Sequence, residues 1–215
     1  MVSIPEWFFG VNALLELFAT IASFFIVYLG YKTYKTLSQK RFFYLGLAFF
    51  FIGTSFLART LTHFLFYFFG TQPLLVSFLR NINYGSLFYM LLTLIGYLVI
   101  VAVISEMFDR RSLPLLFLVA LAGIVFSANP LQLFHIISLL LLLFIMWRQV
   151  LSYSKKRNLN TLLIFVTFLL LGVGHVLFIF TLYLQTPYTV YILAHLFQLV
   201  GYLALLFAMI RVWAR

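Results

Sequence analysis

The sequence contains no cysteine among its 215 residues. Disulfide bonds, thiolate metal sites, iron–sulfur clusters and covalently attached haem are therefore excluded. Acidic residues are also scarce, with four aspartates and glutamates against 14 lysines and arginines. No acidic pair and no serine–histidine dyad is evident, although general acid–base catalysis needs such positioned groups. An enzyme is the least supported class of function.

Charged residues of either sign make up only 8% of the chain, and hydrophobic residues make up 65%. Soluble domains carry about 25% charged residues, so the composition excludes a water-soluble fold and predicts an integral membrane protein in a lipid bilayer. The apolar runs are continuous rather than alternating, which indicates helices and not a β-barrel. The predicted fold class is all-α.

Seven apolar segments are long enough to be considered as spans, although the fourth is short for a transmembrane helix. They predict a bundle of seven transmembrane helices that forms a single domain over residues 1–215. The predicted spans are Val11–Tyr31, Phe42–Phe69, Pro73–Val103, Leu113–Ala128, Pro130–Trp147, Thr161–Tyr183 and Tyr188–Trp213.

The net charge of +10 is concentrated between the spans, so it indicates orientation in the membrane and not nucleic-acid binding. With seven spans, the basic clusters Lys32–Arg41, Arg110–Arg111 and Arg148–Arg157 fall on the same side as the C-terminal Arg211 and Arg215. The positive-inside rule then predicts an external N-terminus and a cytoplasmic C-terminus. The predicted location is the cell membrane, with multiple passes.

The order of features also favours a parallel 3+1+3 repeat. Residues 11–104 and 130–213 would be the two halves, and the predicted helix at 113–128 would link and invert them. A constant shift pairs Tyr34 with Tyr153, and Gly53 with Gly172. The same shift pairs Phe49 with Phe168.

This layout resembles that of small seven-helix sugar transporters. Those proteins carry prolines within the first helix of each half and a Pro-Gln motif, whereas here every proline lies at a segment end and no Pro-Gln pair occurs. We therefore infer no transport activity. The seven-span topology also resembles that of microbial rhodopsins, but the retinal-binding lysine of their seventh helix has no counterpart in Tyr188–Trp213.

Ionisable residues inside a membrane are costly and mark functional sites by default. A rise of 1.5 Å per residue places Arg59 roughly 16 Å below the outer end of its helix, too deep to rely on reaching the interface. Glu16 is the only acid inside a predicted span, so we predict that it pairs with Arg59. These and the other ionisable residues of the set all lie in the outer half of the predicted spans, and together they predict one outward-facing pocket. They are Glu16, Arg59, His63, Arg80, His135, His175 and His195.

The leading functional hypothesis is a b-type haem subunit for electron transfer. His63 and His175 would be the axial ligands, since haem iron accepts histidine, and Arg59 and Arg80 would meet the propionates. His135 and His195 compete with the first pair as ligands.

Two alternatives remain open. An outward pocket with two arginines suits a small anionic or polar ligand, as in a sensory module that acts through a partner protein or a homo-oligomer. Three histidines with Glu16 or water would also suit zinc. Against all three stands the simplest interpretation, in which each histidine only hydrogen-bonds a neighbouring helix.

Overall fold

The computed structural model describes residues 6–69, 84–105, 112–181 and 187–214. Within these ranges the chain forms seven α-helices and no strand, which confirms the all-α prediction for the part described. The helices are α1 Glu6–Leu37, α2 Lys40–Phe69, α3 Tyr84–Ser105, α4 Ser112–Val125, α5 Pro130–Lys156, α6 Leu159–Thr181 and α7 Pro187–Trp213.

Two helices are longer than the sequence predicts. The first and fifth apolar spans end at Tyr31 and Trp147, whereas α1 continues to Leu37 and α5 continues to Lys156. The basic residues expected in loops at these two ends therefore lie on helical extensions. The physical reason is that a helix satisfies its own backbone hydrogen bonds in lipid and in water alike, so it need not end where the apolar run ends.

The third and fourth helices differ from prediction in another way. The third span is predicted from Pro73, but residues 70–83 lie outside the described ranges, and α3 begins at Tyr84. The fourth helix has only 14 residues, and it is shorter than a typical membrane span.

Local sequence accounts for both ends of α5. Pro130 occupies the first turn, where its missing N–H removes no helical hydrogen bond. Arg157 follows the last turn with a φ of 41°, and its backbone N–H donates to the carbonyl of Tyr153 at 2.8 Å. This left-handed residue ends the helix in the manner of an αL cap, so α6 can return antiparallel after a short turn.

Six of the helices pack as a closed ring in the order α1, α2, α3, α5, α6, α7 and back to α1. Among the described residues, α4 packs only against α3 and α5. Phe8 contacts Tyr188 at one end of α1 and α7, with ring centroids 5.1 Å apart, and Lys32 lies over Trp213 at the other end. Since like ends meet, α1 and α7 run parallel.

The helices α3 and α5 also run parallel. The rings of Tyr89 and Phe134 lie 5.4 Å apart near the start of both helices. Near their ends, the Arg148 side chain donates to the carbonyl of Ile104 at 3.4 Å. The chain between α3 and α5 must therefore return to the end from which α3 starts.

Aromatic side chains fill the centre of the ring. Phe56 contacts Tyr202 and Tyr89 with centroids 5.5 and 5.6 Å apart, and Tyr89 contacts Phe134 in turn. These contacts join α2, α3, α5 and α7. These aromatic side chains form the core of the ring, and the buried polar groups described below lie among them.

The outer surface is apolar. Phe68, Phe126 and Trp147 are among many large hydrophobic side chains that are exposed on it. All helices except α4 are long and apolar enough to cross a membrane, which gives six such helices among the described residues. An apolar exterior on long apolar helices is suited to a lipid bilayer and is typical of a multi-pass membrane protein.

The close approach of α2 and α3 gives a testable prediction. A Cβ added to Gly96 would lie 2.5 Å from a side-chain carbon of Ile52 and 2.9 Å from the carbonyl oxygen of Ala48. We expect Gly96→Ala to lower the free energy of unfolding by about 1–3 kcal/mol, because the two backbones must separate. Gly123→Ala is the matched control, since its nearest neighbour, on Leu133, is 3.5 Å away.

Unfolding of both variants in mixed micelles, followed by circular dichroism, checks this. Equal stability of the two variants would contradict the tight packing of α2 against α3.

Candidate functional site

Polar side chains from five helices gather at the end of the ring where α1 and α7 begin. We call this set the polar layer. Because α2 runs antiparallel to α1, and α6 runs antiparallel to α5 and α7, residues near the start of α1, α5 and α7 meet residues near the end of α2 and α6. The polar layer consists of Asn12, Glu16, Arg59, His63, His135, His175, Tyr191 and His195.

Glu16 is the centre of the first part of the layer and is fully buried. Its Oε1 lies 3.0 Å from Nε of Arg59, and its Oε2 lies 2.7 Å from Nδ1 of His63. The amide of Asn12, one helical turn earlier, donates to Oε1 at 3.2 Å. The structure thus places Arg59 against Glu16, the partner that the sequence predicts for it. A carboxylate removed from water needs such partners.

Arg59 is held on three sides. Its Nε meets Glu16 on α1, and its Nη2 donates to the hydroxyl of Tyr191 on α7. The guanidinium carbon also lies 4.5 Å from the centre of the Tyr89 ring on α3, at a distance suitable for a cation–π interaction. Only 9% of the residue is exposed, so lipid and water have little access to the charge.

The second part of the layer is the pair His135 and His175, which forms a buried hydrogen-bonded chain with Tyr97 on α3. Nδ1 of His135 lies 3.0 Å from Nδ1 of His175, and Nε2 of His175 lies 3.1 Å from the hydroxyl of Tyr97. The ring of Phe178 stacks on His135 with centroids 4.7 Å apart and packs edge-on against His195 at 4.8 Å. Phe178 therefore connects the histidine pair with the ion-pair region.

His195 lies beside the ion pair without bonding to it. Its Nε2 is 3.8 Å from Oε1 of Glu16, which is too long for a hydrogen bond. Ten further buried side-chain atoms likewise have no hydrogen-bond partner among the described residues, and they include Nη1 of Arg59, Oδ1 of Asn12 and Oε1 of Gln198. Buried polar groups in native proteins are nearly always paired, with protein, water or ligand, so these atoms call for partners beyond those that the described residues supply.

The axial pair predicted for haem has other partners. His63 contacts Glu16, and both ring nitrogens of His175 make hydrogen bonds, to His135 and to Tyr97. An axial ligand must direct a nitrogen lone pair at the iron, so His175 would have to give up one of these bonds. The residues do not fit the predicted pair in this arrangement, and Arg80, predicted for a propionate, lies outside the described residues. Haem binding stays a prediction.

The metal hypothesis finds no ligand set in the described part of the chain. No group of three histidine, cysteine, aspartate or glutamate side chains there is arranged so that it could hold a metal ion.

No protein-family model matches this chain, and no significant match to it is found among curated proteins or among solved structures. The site must therefore be interpreted from its own chemistry.

Sequence reasoning missed Asn12, Tyr191 and Tyr97. A signal for the first two exists in hindsight, because Asn12 and Tyr191 each precede an ionisable residue, Glu16 and His195, by one helical turn. Residues at this spacing share a helix face. No comparable signal marks Tyr97, which differs from the other tyrosines only by where the fold places it.

Proposed function

We propose that this protein is a membrane module that binds a small carboxylate in the polar layer. The observation that carries the proposal is the pair of unpartnered buried nitrogens, Nη1 of Arg59 and Nε2 of His195, beside Glu16. An arginine N–H of this kind is suited to donate to a carboxylate oxygen. The second nitrogen, on an imidazole, can donate to the same ligand.

The surroundings limit the size and charge of the ligand. Glu16 and Arg59 carry opposite charges, so one added carboxylate would give the layer a single net negative charge, and its oxygens would accept hydrogen bonds from Arg59 and His195. The rings of Tyr89, Phe178 and Tyr191 lie around these donors. A small carboxylate with a short apolar part matches such a mixture of few polar groups and aromatic walls.

The proposed topology determines on which side of the membrane the polar layer lies. The parallel course of α3 and α5 supports a full crossing by the segment that contains α4, and hence seven spans. Basic residues such as Lys35, Arg157 and Arg211 lie at the end of the bundle opposite the polar layer, which supports a cytoplasmic position for that end. The polar layer would then lie toward the outside of the cell membrane.

Such a module would act through a separate partner protein or through a second copy of the chain. The parallel 3+1+3 repeat belongs to the same proposal, and the packing order of the ring supports it, since helices 1–3 and 5–7 occupy the ring in the same sequence.

Thermal unfolding of the purified protein with acetate, pyruvate or benzoate tests the proposed ligand class, with chloride at equal ionic strength as the reference. A ligand at 100 times its Kd stabilises by about 2.7 kcal/mol. For a protein of this size, that corresponds to a rise in Tm of about 5–10 °C. We expect at least one of the carboxylates to produce it.

Two variants locate the effect. Arg59→Lys keeps the charge beside Glu16 but lacks the planar fork of donors, and His195→Phe keeps the ring but lacks the nitrogen. Both should lose the carboxylate-dependent rise, whereas the exposed Lys35→Gln should keep it. A wild-type Tm that responds to the carboxylates no more than to chloride would refute the proposal.

The absorption spectrum of the same preparation tests the haem prediction. A low-spin bis-histidine haem gives a strong near-ultraviolet band and split visible bands after reduction. If these bands are present and disappear in His63→Ala or His175→Ala, haem-linked electron transfer replaces the carboxylate proposal. Loss in His135→Ala or His195→Ala instead would assign the haem to the other pair.

A further inference from the structure

An apolar groove runs along the outer surface where α1 and α7 meet. Its volume is about 220 Å³, and apolar side chains alone line it, among them Phe18, Ala22 and Phe25 on α1 with Leu199, Leu203 and Leu206 on α7. It lies on the side of the ring that faces lipid. A groove of this composition in a bilayer is suited to a hydrocarbon chain.

A cation lies beyond one end of the groove, two helical turns past Phe25, the last groove residue on α1. Lys32 follows Phe18, Phe25 and Tyr28 along one face of α1, at helical spacings of three, four and seven residues. Its Nζ lies 4.0 Å from the centre of the Trp213 ring, in the last turn of α7, and 5.7 Å from that of Tyr28. No carboxylate pairs with Lys32 among the residues that the structure describes.

The dimensions match one leaflet of a membrane. Phe18 and Lys32 are 14 positions apart, which corresponds to roughly 21 Å along a helix. Half of a bilayer, including its headgroup region, measures about 20–22 Å. A lipid with its phosphate at Lys32 would therefore extend its acyl chain over the full length of the groove. Arg211, in the last turn of α7, adds positive charge at the same level.

We propose that this groove is a binding site for an anionic membrane lipid, with the headgroup phosphate at Lys32 and Trp213 and one acyl chain between α1 and α7. The positive charge of Lys32 favours an anionic lipid over other occupants of the groove. A second copy of this chain would fill the apolar groove without a use for Lys32, and a zwitterionic lipid would bring its own cation to the same place. The headgroup end of this site lies at the end of the bundle opposite the polar layer, and none of the groove residues belongs to that layer.

The test uses the full chain, purified in a mild detergent and mixed with equal amounts of phosphatidylglycerol and phosphatidylcholine that carry the same acyl chains. Native mass spectrometry counts the lipids that stay bound. One lysine near a membrane surface contributes about fivefold in affinity for an anionic lipid, so we expect phosphatidylglycerol to be retained about fivefold over phosphatidylcholine.

Matched variants distinguish the contribution of the lipid headgroup to binding from that of the acyl chain. Lys32→Gln should abolish the preference, and Lys35→Gln, on the same helix with its cation over Tyr31, should keep it. Leu203→Trp should fill the groove and reduce retention of both lipids, whereas Val200→Trp, at an equally exposed position outside the groove, should not.

Equal retention of both lipids by the wild type would overturn the proposal, as would equal behaviour of the two lysine variants. The proposal would also fail if Leu203→Trp left lipid retention unchanged but converted a dimer to a monomer, because the groove would then hold a second copy. None of these outcomes depends on carboxylate binding.

Discussion

Replacement of Glu16 by Gln is expected to lower the free energy of unfolding by about 3–5 kcal/mol, the cost of breaking a buried ion pair by removing one partner. The variant keeps the size of the side chain but leaves Arg59 as an uncompensated buried charge. His63 loses its charged acceptor at the same time, since Nδ1 of His63 lies 2.7 Å from the Glu16 carboxylate. Unfolding in mixed micelles measures the change.

The control is Glu6→Gln, which removes an acid at the first residue of the same helix. A double-mutant cycle isolates the pair itself: Glu16→Leu with Arg59→Leu should cost less than the sum of the two single changes, by about 0.5–3 kcal/mol. Strictly additive losses would show that the two side chains do not interact. A loss for Glu16→Gln no larger than for Glu6→Gln would remove the ion pair as a stabilising feature.

Labelling of single cysteines is expected to give an all-or-none result. The chain has no native cysteine, so each introduced thiol is the only target. In the proposed orientation, an impermeant maleimide should label Ala128→Cys in intact cells, since Ala128 is exposed between α4 and α5. Ser38→Cys and Asn158→Cys, at the two turns on the opposite end, should react only after lysis.

The two outcomes that contradict this prediction differ in meaning. Labelling of both Ser38→Cys and Asn158→Cys from outside, with Ala128→Cys protected, would invert the orientation and leave seven spans. Labelling of Ser38→Cys and Asn158→Cys from opposite sides would show an odd number of crossings between them, so that α4 would not span.

Hydropathy predicts the helices well because each apolar run must be helical to satisfy its backbone in lipid. It predicts their ends less well, since nothing forces a helix to stop at the membrane surface. The extension of α5 from Trp147 to Lys156 shows this. The end of α5 is instead set by Arg157, which adopts the left-handed backbone conformation. Glycine usually marks such a helix end in a sequence, and here no glycine does.

The depth of each ionisable residue along its helix predicts that these residues lie at the same height in the bundle. The contacts of Glu16 with Arg59 and His63 place these three residues at the same height. Depth alone does not say which residues meet, because that depends on how each helix is rotated and which helices are neighbours. His63 and His175 have comparable depths, yet one lies against α1 and the other against α5 and α3. Depth alone therefore cannot show that these two histidines lie against different helices.

The contact between His135 and His175 has a consequence for how protons are ordered across the bundle. A neutral imidazole carries one N–H, so one of the two Nδ1 atoms, 3.0 Å apart, donates and the other accepts. If His175 donates, its Nε2 must accept from the Tyr97 hydroxyl. If His135 donates, Nε2 of His175 carries the hydrogen and donates to Tyr97 instead. Reversing one bond therefore reverses the other, and a change at α5 turns the hydroxyl hydrogen on α3 while every heavy atom keeps its place.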